Sequence, residues 1–112
     1  MSSQNLIETD RFGLTKRDWD TIINIIKKYP TIKQVSLFGS RAKGNYKKGS
    51  DIDLAFMDKN IENKIIDKLK IDFEESSLPY NVDLVNYHCL DHRELKEHID
   101  RIGTMFYIRE KK

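Results

Sequence analysis

Residues 34–57 read QVSLFGSRAKGNYKKGSDIDLAFM, and the organisation of the whole chain follows from how this stretch folds. Gln34 to Phe38 holds the apolar run Val35, Leu37 and Phe38, the pattern of a short buried strand. Gly39 ends it. Arg41 to Gly49 is basic and broken by Gly44 and Gly49, so it reads as a loop or a single helical turn. A second strand is expected from Asp51 to about Met57. So short a connection makes the two strands antiparallel neighbours.

Outward from this core, the periodicity changes on both sides. Upstream, Thr15-Lys16-Arg17-Asp18 resembles a capping box with Asp in place of Glu. Trp19, Ile22, Ile23 and Ile26 then recur at helical spacing as core residues, and Pro30 stops the helix. Downstream, Ile61, Ile65, Leu69 and Phe73 lie four apart and predict an amphipathic helix from Ile61 to Glu75. Pro79 follows, then a third strand from Val82 to about Asn86. Strand, long helix, strand is a βαβ unit, so the second and third strands should be parallel with a right-handed crossover. A last helix from about Asp91 carries Leu95, Ile99 and Ile102 on one face. The apolar tail Met105 to Ile108 is expected to pack onto the domain, as strand or as further helix. Residues 1–11, mostly polar, are expected to be loosely held, with residues 12–112 forming a single α/β domain whose small mixed sheet is flanked by helices.

This topology brings the end of the first strand and the starts of the second and third to one edge of the sheet. Those places hold Gly39-Ser40, Asp51 with Asp53, and Asp83. Asp51 and Asp53 are two apart on a strand and so project to the same face. Clustered carboxylates repel and raise one another's pKa unless a cation neutralises them. A hard divalent ion with oxygen ligands resolves that conflict, and magnesium is the usual choice where phosphates complete the shell. Three carboxylates can hold two such ions. An acidic pair after Gly49-Ser50 is also ordinary turn chemistry, as is Asp83 after Asn81. Convergence of all three beside a glycine–serine turn is what favours a metal site. Gly39 and Ser40 are small enough to let phosphate oxygens reach the backbone N–H groups. Among the basic residues nearby, Arg41 is the expected phosphate contact.

The composition narrows the field. The 112 residues suit one domain. With 20 basic and 18 acidic residues the formal charge is +2, which argues against a broad nucleic-acid-coating face. Cys89 is the lone cysteine, so no disulfide can form within the chain. His88 and His92 flank it without sharing a helical face, which disfavours zinc. Tyr46, Tyr80 and Tyr87 could stack on a base but read better as partly buried packing. The first residues lack the basic start and apolar run of a secretory signal. No apolar stretch approaches the ~20 residues of a membrane span. A cytoplasmic protein is expected.

At this point the chain resembles a known family. Gly39-Ser40, ten residues, then Asp51-Ile52-Asp53-Leu54 is similar to the signature of the minimal nucleotidyltransferases (MNT) of the DNA polymerase beta superfamily. The longer run Leu37 to Gly44 and Ser50 before the aspartates strengthen the match, and Asn81-Val82-Asp83-Leu84-Val85 looks like the strand bearing the family's third carboxylate. The resemblance covers roughly Phe12 to the C-terminus. It implies a polymerase-beta-like nucleotidyltransferase fold, with Asp51, Asp53 and Asp83 as catalytic residues and ligands of two Mg2+ ions. Gly39 and Ser40 would hold the β and γ phosphates of ATP. The implied reaction is attack of a hydroxyl on the α-phosphate with loss of pyrophosphate. Free-standing members resemble the antitoxin half of two-protein modules whose partner is a HEPN-domain ribonuclease toxin, silenced by adenylylation of a tyrosine. Transfer to a small-molecule hydroxyl, a non-catalytic antitoxin that binds and blocks, and an RNA-directed transferase are the competing readings.

Overall fold

The computed structural model describes residues 11–109. The loose segment expected over residues 1–11 therefore lies, apart from Arg11, outside the described residues. A 3-10 turn at Arg11–Gly13 leads into α1 (Lys16–Lys27), β1 (Gln34–Phe38), a short helix α2 (Gly39–Lys43), β2 (Ile52–Phe56) and α3 (Asn63–Glu74). Then come β3 (Val82–Asn86), a 3-10 turn at Tyr87–Cys89, α4 (Arg93–Ile102) and β4 (Thr104–Ile108).

Local chemistry explains the helix ends. The Thr15 hydroxyl accepts the Asp18 N–H at 3.0 Å, and the Asp18 carboxylate accepts the Thr15 N–H at 3.1 Å, closing the capping box. The helix stops at Lys27 ahead of Pro30. α3 starts at Asn63, two residues beyond the expected Ile61, because Ile61 is buried ahead of the helix and Glu62 takes the extended cap conformation. Of the two alternatives for the basic segment, the helical turn holds for residues 39–43. The apolar tail forms a strand.

The sheet order is β3-β2-β1-β4. β1 pairs antiparallel with β2 and with β4, while β2 and β3 run parallel, as the βαβ reading requires. The register shifts between Val35 and Ser36 against β4, where Val35 faces Tyr107 and Ser36 faces Met105. This bulge lets Phe106 and Tyr107, neighbours in sequence, both be buried. Phe106 stacks on Trp19 at 4.3 Å between ring centroids.

The two faces of the sheet are covered unequally. Val35, Leu37, Ile52, Leu54 and Phe56 pack under α1 and α3 in the main core, against residues such as Ile22, Ile26, Ile66 and Leu69. The opposite face holds a smaller cluster in which Phe38 and Ala55 meet Ile99 of α4. Asp53, on this second face, is half-buried. A tie across the main layer joins the residues just after α1 to α3: the Tyr29 hydroxyl donates to Asp72 at 2.5 Å, and Lys28 pairs with the same carboxylate at 3.3 Å. Tyr29→Phe should lower the unfolding free energy by about 1 kcal/mol, read as a shift in the urea midpoint at unchanged slope.

Candidate active site

Register alone assembles the acidic cluster. Phe38, the residue before Gly39, lies opposite Asp53 across the β1–β2 pair, and Asp53 lies opposite Asp83 across the β2–β3 pair. One row across three strands thus ends in Gly39-Ser40, Asp53 and Asp83. Asp51 immediately precedes β2 and is exposed, as is Asp83; Asp53 is half-buried. All three line an open cleft of about 840 Å³, together with Phe38, Tyr80 and Leu95. That volume is within the range of small-molecule sites.

Gly39 is built against Asp53. Its φ of 77° is one that side-chain-bearing residues rarely adopt, and a Cβ there would sit 2.2 Å from Asp53 Oδ2. The glycine–serine turn and the central carboxylate therefore approach closely because Gly39 has no side chain. The Gly39 N–H donates to Nε2 of His98 on α4 at 3.2 Å, and the His98 ring meets Phe38 edge-on. Sequence reasoning overlooked His98. The available signal was a polar residue three positions after Leu95 and one before Ile99, on the sheet-facing side of a helix.

Asp53 is the one of the three aspartates whose ionised form is clearly disfavoured. Desolvation by burial, then repulsion from and a hydrogen bond with Asp83, then the charge of Asp51, push its pKa up from 3.8 to about 6, and Arg41 offsets part of this. Among the described residues no three His, Cys, Asp or Glu side chains form a ready-made metal cage. The close unit is the Asp53–Asp83 pair, with Asp51 standing nearby. Two hard oxygen donors held together against their own repulsion suit a divalent cation, so the donor set fits magnesium chemistry.

The side chain of Arg41, the expected phosphate contact, turns inward from the glycine–serine turn. It is only 2% exposed; Nε and Nη2 donate to the Ser50 carbonyl at 3.2 and 2.8 Å, and Nη1 donates to the Phe12 carbonyl at 2.8 Å. The inward turn follows from those two carbonyls and from the rings of Tyr80 and Tyr46, 4.6 and 5.3 Å from its central carbon. The histidines beside Cys89 also separate: His88 Nε2 lies 2.9 Å from the Met57 carbonyl oxygen, while His92 caps α4 by accepting the Leu95 N–H. No helix among the described residues is long and apolar enough to cross a membrane.

A four-stranded mixed sheet with helices on both faces, a glycine–serine turn after β1 and acidic residues on two neighbouring strands define a polymerase-beta-like nucleotidyltransferase fold. Residues 20–112 match the family model described as Polymerase beta, Nucleotidyltransferase, and the chain belongs to that family. It is 37% identical over 75 residues to a Haemophilus influenzae protein named Probable protein adenylyltransferase MntA, an alignment covering 66% of this chain and 65% of that one. Its fold is similar to that of a toxin–antitoxin crystallised with AMP-PNP, at a TM-score of 0.67 and 24% identity, covering 83% of this chain and 75% of that one. It is also similar to a structure of a tri-AMPylated Shewanella oneidensis HEPN toxin in complex with MNT antitoxin, at a TM-score of 0.60 and 22% identity, covering 81% and 70%.

Proposed function

We propose that this protein is a metal-dependent nucleotidyltransferase that moves AMP from ATP to a hydroxyl, and that the acceptor is a tyrosine of a HEPN ribonuclease toxin to which it is the antitoxin. The observation that carries the reading is the contact of Gly39 with Asp53 at the same sheet edge as Asp83. This contact supports a reading in which a turn small enough to admit phosphate oxygens stands beside carboxylates whose mutual repulsion a cation would relieve. The acceptor is taken from the kinship with an MntA adenylyltransferase and from the AMPylated toxin found with an MNT antitoxin.

Asp51, Asp53 and Asp83 would hold the magnesium ions, which when bound supply positive charge to the triphosphate and to the attacking and leaving oxygens. Gly39 and Ser40 would hold the β and γ phosphates, Ser40 through its hydroxyl and N–H and Gly39 by leaving room for their approach, its own N–H being engaged by His98. Asp83, exposed at the cleft, would receive the proton of the attacking hydroxyl or share in cation binding. The oxygen of that hydroxyl bonds to the α-phosphorus, the bond to the β-phosphate oxygen breaks, and pyrophosphate leaves. Most of the acceleration would come from positioning and electrostatics rather than covalent chemistry on the protein.

The test uses ATP labelled at the α-phosphate, magnesium and a candidate HEPN partner protein. Label is expected to appear in the partner, with a mass increase of one or more AMP groups, and to be absent with Asp53→Asn. A partner of unchanged mass whose toxicity is nevertheless neutralised would replace this reading with simple blocking. Label passing to a small hydroxyl compound without any protein partner would move the acceptor assignment instead.

A further inference from the structure

Arg41 is a buried charge that the reaction above leaves without a task. Burying a guanidinium is costly unless its donors are satisfied, and here the satisfying groups have a pattern. The Ser50 carbonyl, which takes both Nε and Nη2, belongs to the residue immediately before Asp51. Ser50 is itself held in place, its N–H donating to the Lys47 carbonyl and its hydroxyl accepting the Lys47 N–H. The Tyr80 ring lies 4.6 Å from the guanidinium carbon, next to Asn81, whose carbonyl accepts the Ile52 N–H at 2.9 Å, and three residues before Asp83. Arg41 itself stands two residues after Gly39. The third anchor, the Phe12 carbonyl, is presented by a residue with φ of 57°, and at Gly13 a Cβ would lie 2.9 Å from Arg41 Nη1. The backbone there is bent into a disfavoured conformation where it meets the guanidinium.

We propose that Arg41 is a positioning residue: its planar fork and the ring of Tyr80 fix the phosphate turn, the Asp51–Asp53 segment and the approach to Asp83 relative to one another, without contact to nucleotide. The proposal rests on the reading of the three aspartates as the cation-binding set. A lysine cannot substitute, because an ammonium is a point charge without the fork that grips one carbonyl with two donors and another with a third.

The experiment titrates the folded protein with MnCl2 in the presence of AMP-PNP, and separately measures AMP-PNP binding without metal. Arg41→Lys and Arg41→Gln are both expected to weaken Mn2+ binding by on the order of tenfold or more, as loss of an outer-shell support does. Metal-free AMP-PNP affinity should stay within about twofold, a bound set well inside that same tenfold scale. Introduced into Asp51→Asn, Arg41→Lys should add little, since the carboxylate it orders is gone. Tyr80→Leu leaves the charge in place and should weaken Mn2+ binding in the same direction, which keeps the test open if an Arg41 variant fails to fold. Wild-type Mn2+ affinity in Arg41→Lys, or undiminished binding in Tyr80→Leu, would overturn the proposal. So would a tenfold loss of metal-free AMP-PNP binding, which would make Arg41 a phosphate ligand. If Asp53→Asn binds Mn2+ as the wild type does, the fault lies in the underlying site and not in Arg41.

Discussion

Asp53→Asn is expected to reduce nucleotidyl transfer by on the order of 10³-fold or more, and at the same time to make the metal-free protein more stable at neutral pH. The two effects have one cause. In the fold the Asp53 carboxyl titrates near 6 instead of 3.8, because it is partly desolvated and faces Asp83 and Asp51. Between those values the folded protein keeps a proton that the unfolded chain releases, so stability falls as the pH rises through this window. The stabilisation from the bound proton is complete below about pH 4 and gone above about pH 6, and at pH 7 the ionised side chain opposes folding. Two pKa units correspond to roughly 3 kcal/mol, which solvent screening of a half-exposed, shared site reduces to about 1–2 kcal/mol. For a domain of this size that amounts to a melting point raised by about 5–10 °C at pH 7 in Asp53→Asn. The advantage should vanish below pH 4. Magnesium with nucleotide should restore the wild type and leave the variant unmoved. Melting curves that run parallel from pH 4 to pH 8 would show that the carboxylate cluster is not under this strain.

Gly39→Ala should be nearly as damaging by a different route. Alanine at a φ of 77° costs about 1–2 kcal/mol. The added Cβ would meet Asp53 Oδ2 at 2.2 Å and Cγ at 3.0 Å, so the carboxylate must swing aside. Relief is available, because the end of a side chain can move more cheaply than backbone. It comes at the expense of the Asp53–Asp83 juxtaposition. The expected signature is a modest loss of stability, about 1–3 kcal/mol, with a loss of transfer of at least about 100-fold. A variant that keeps more than a tenth of wild-type activity would mean that Gly39 and Asp53 need not touch in the working enzyme.

Much of this arrangement was legible because strand register is encoded in alternation. Val35, Leu37, Ile52 and Leu54 mark one buried face, and the βαβ spacing around Leu69 and Phe73 forces β3 alongside β2. Once those pairings are granted, Asp53 and Asp83 must be neighbours. What alternation does not encode is how a long side chain spends its donors. Arg41 lies next to the glycine–serine turn in sequence, and alternation does not show that the carbonyls of Ser50 and the distant Phe12, with the rings of Tyr46 and the distant Tyr80, surround it on the inner side. His98 escaped for the same reason, since its partner is a backbone N–H contributed by another part of the chain. The strand at 104–108 was undecidable between helix and sheet because a bulge lets two successive residues point inward, which blurs the two-residue period.

The parallel pairing of β2 with β3 also has a bearing on synthesis. A nascent polypeptide released up to α3 carries the first two acids and the glycine turn but not the partner strand that bears the third. Under the proposed role of the three aspartates, cation binding would wait until the crossover helix has docked and β3 has emerged, so that competence would arrive together with closure of the tertiary structure.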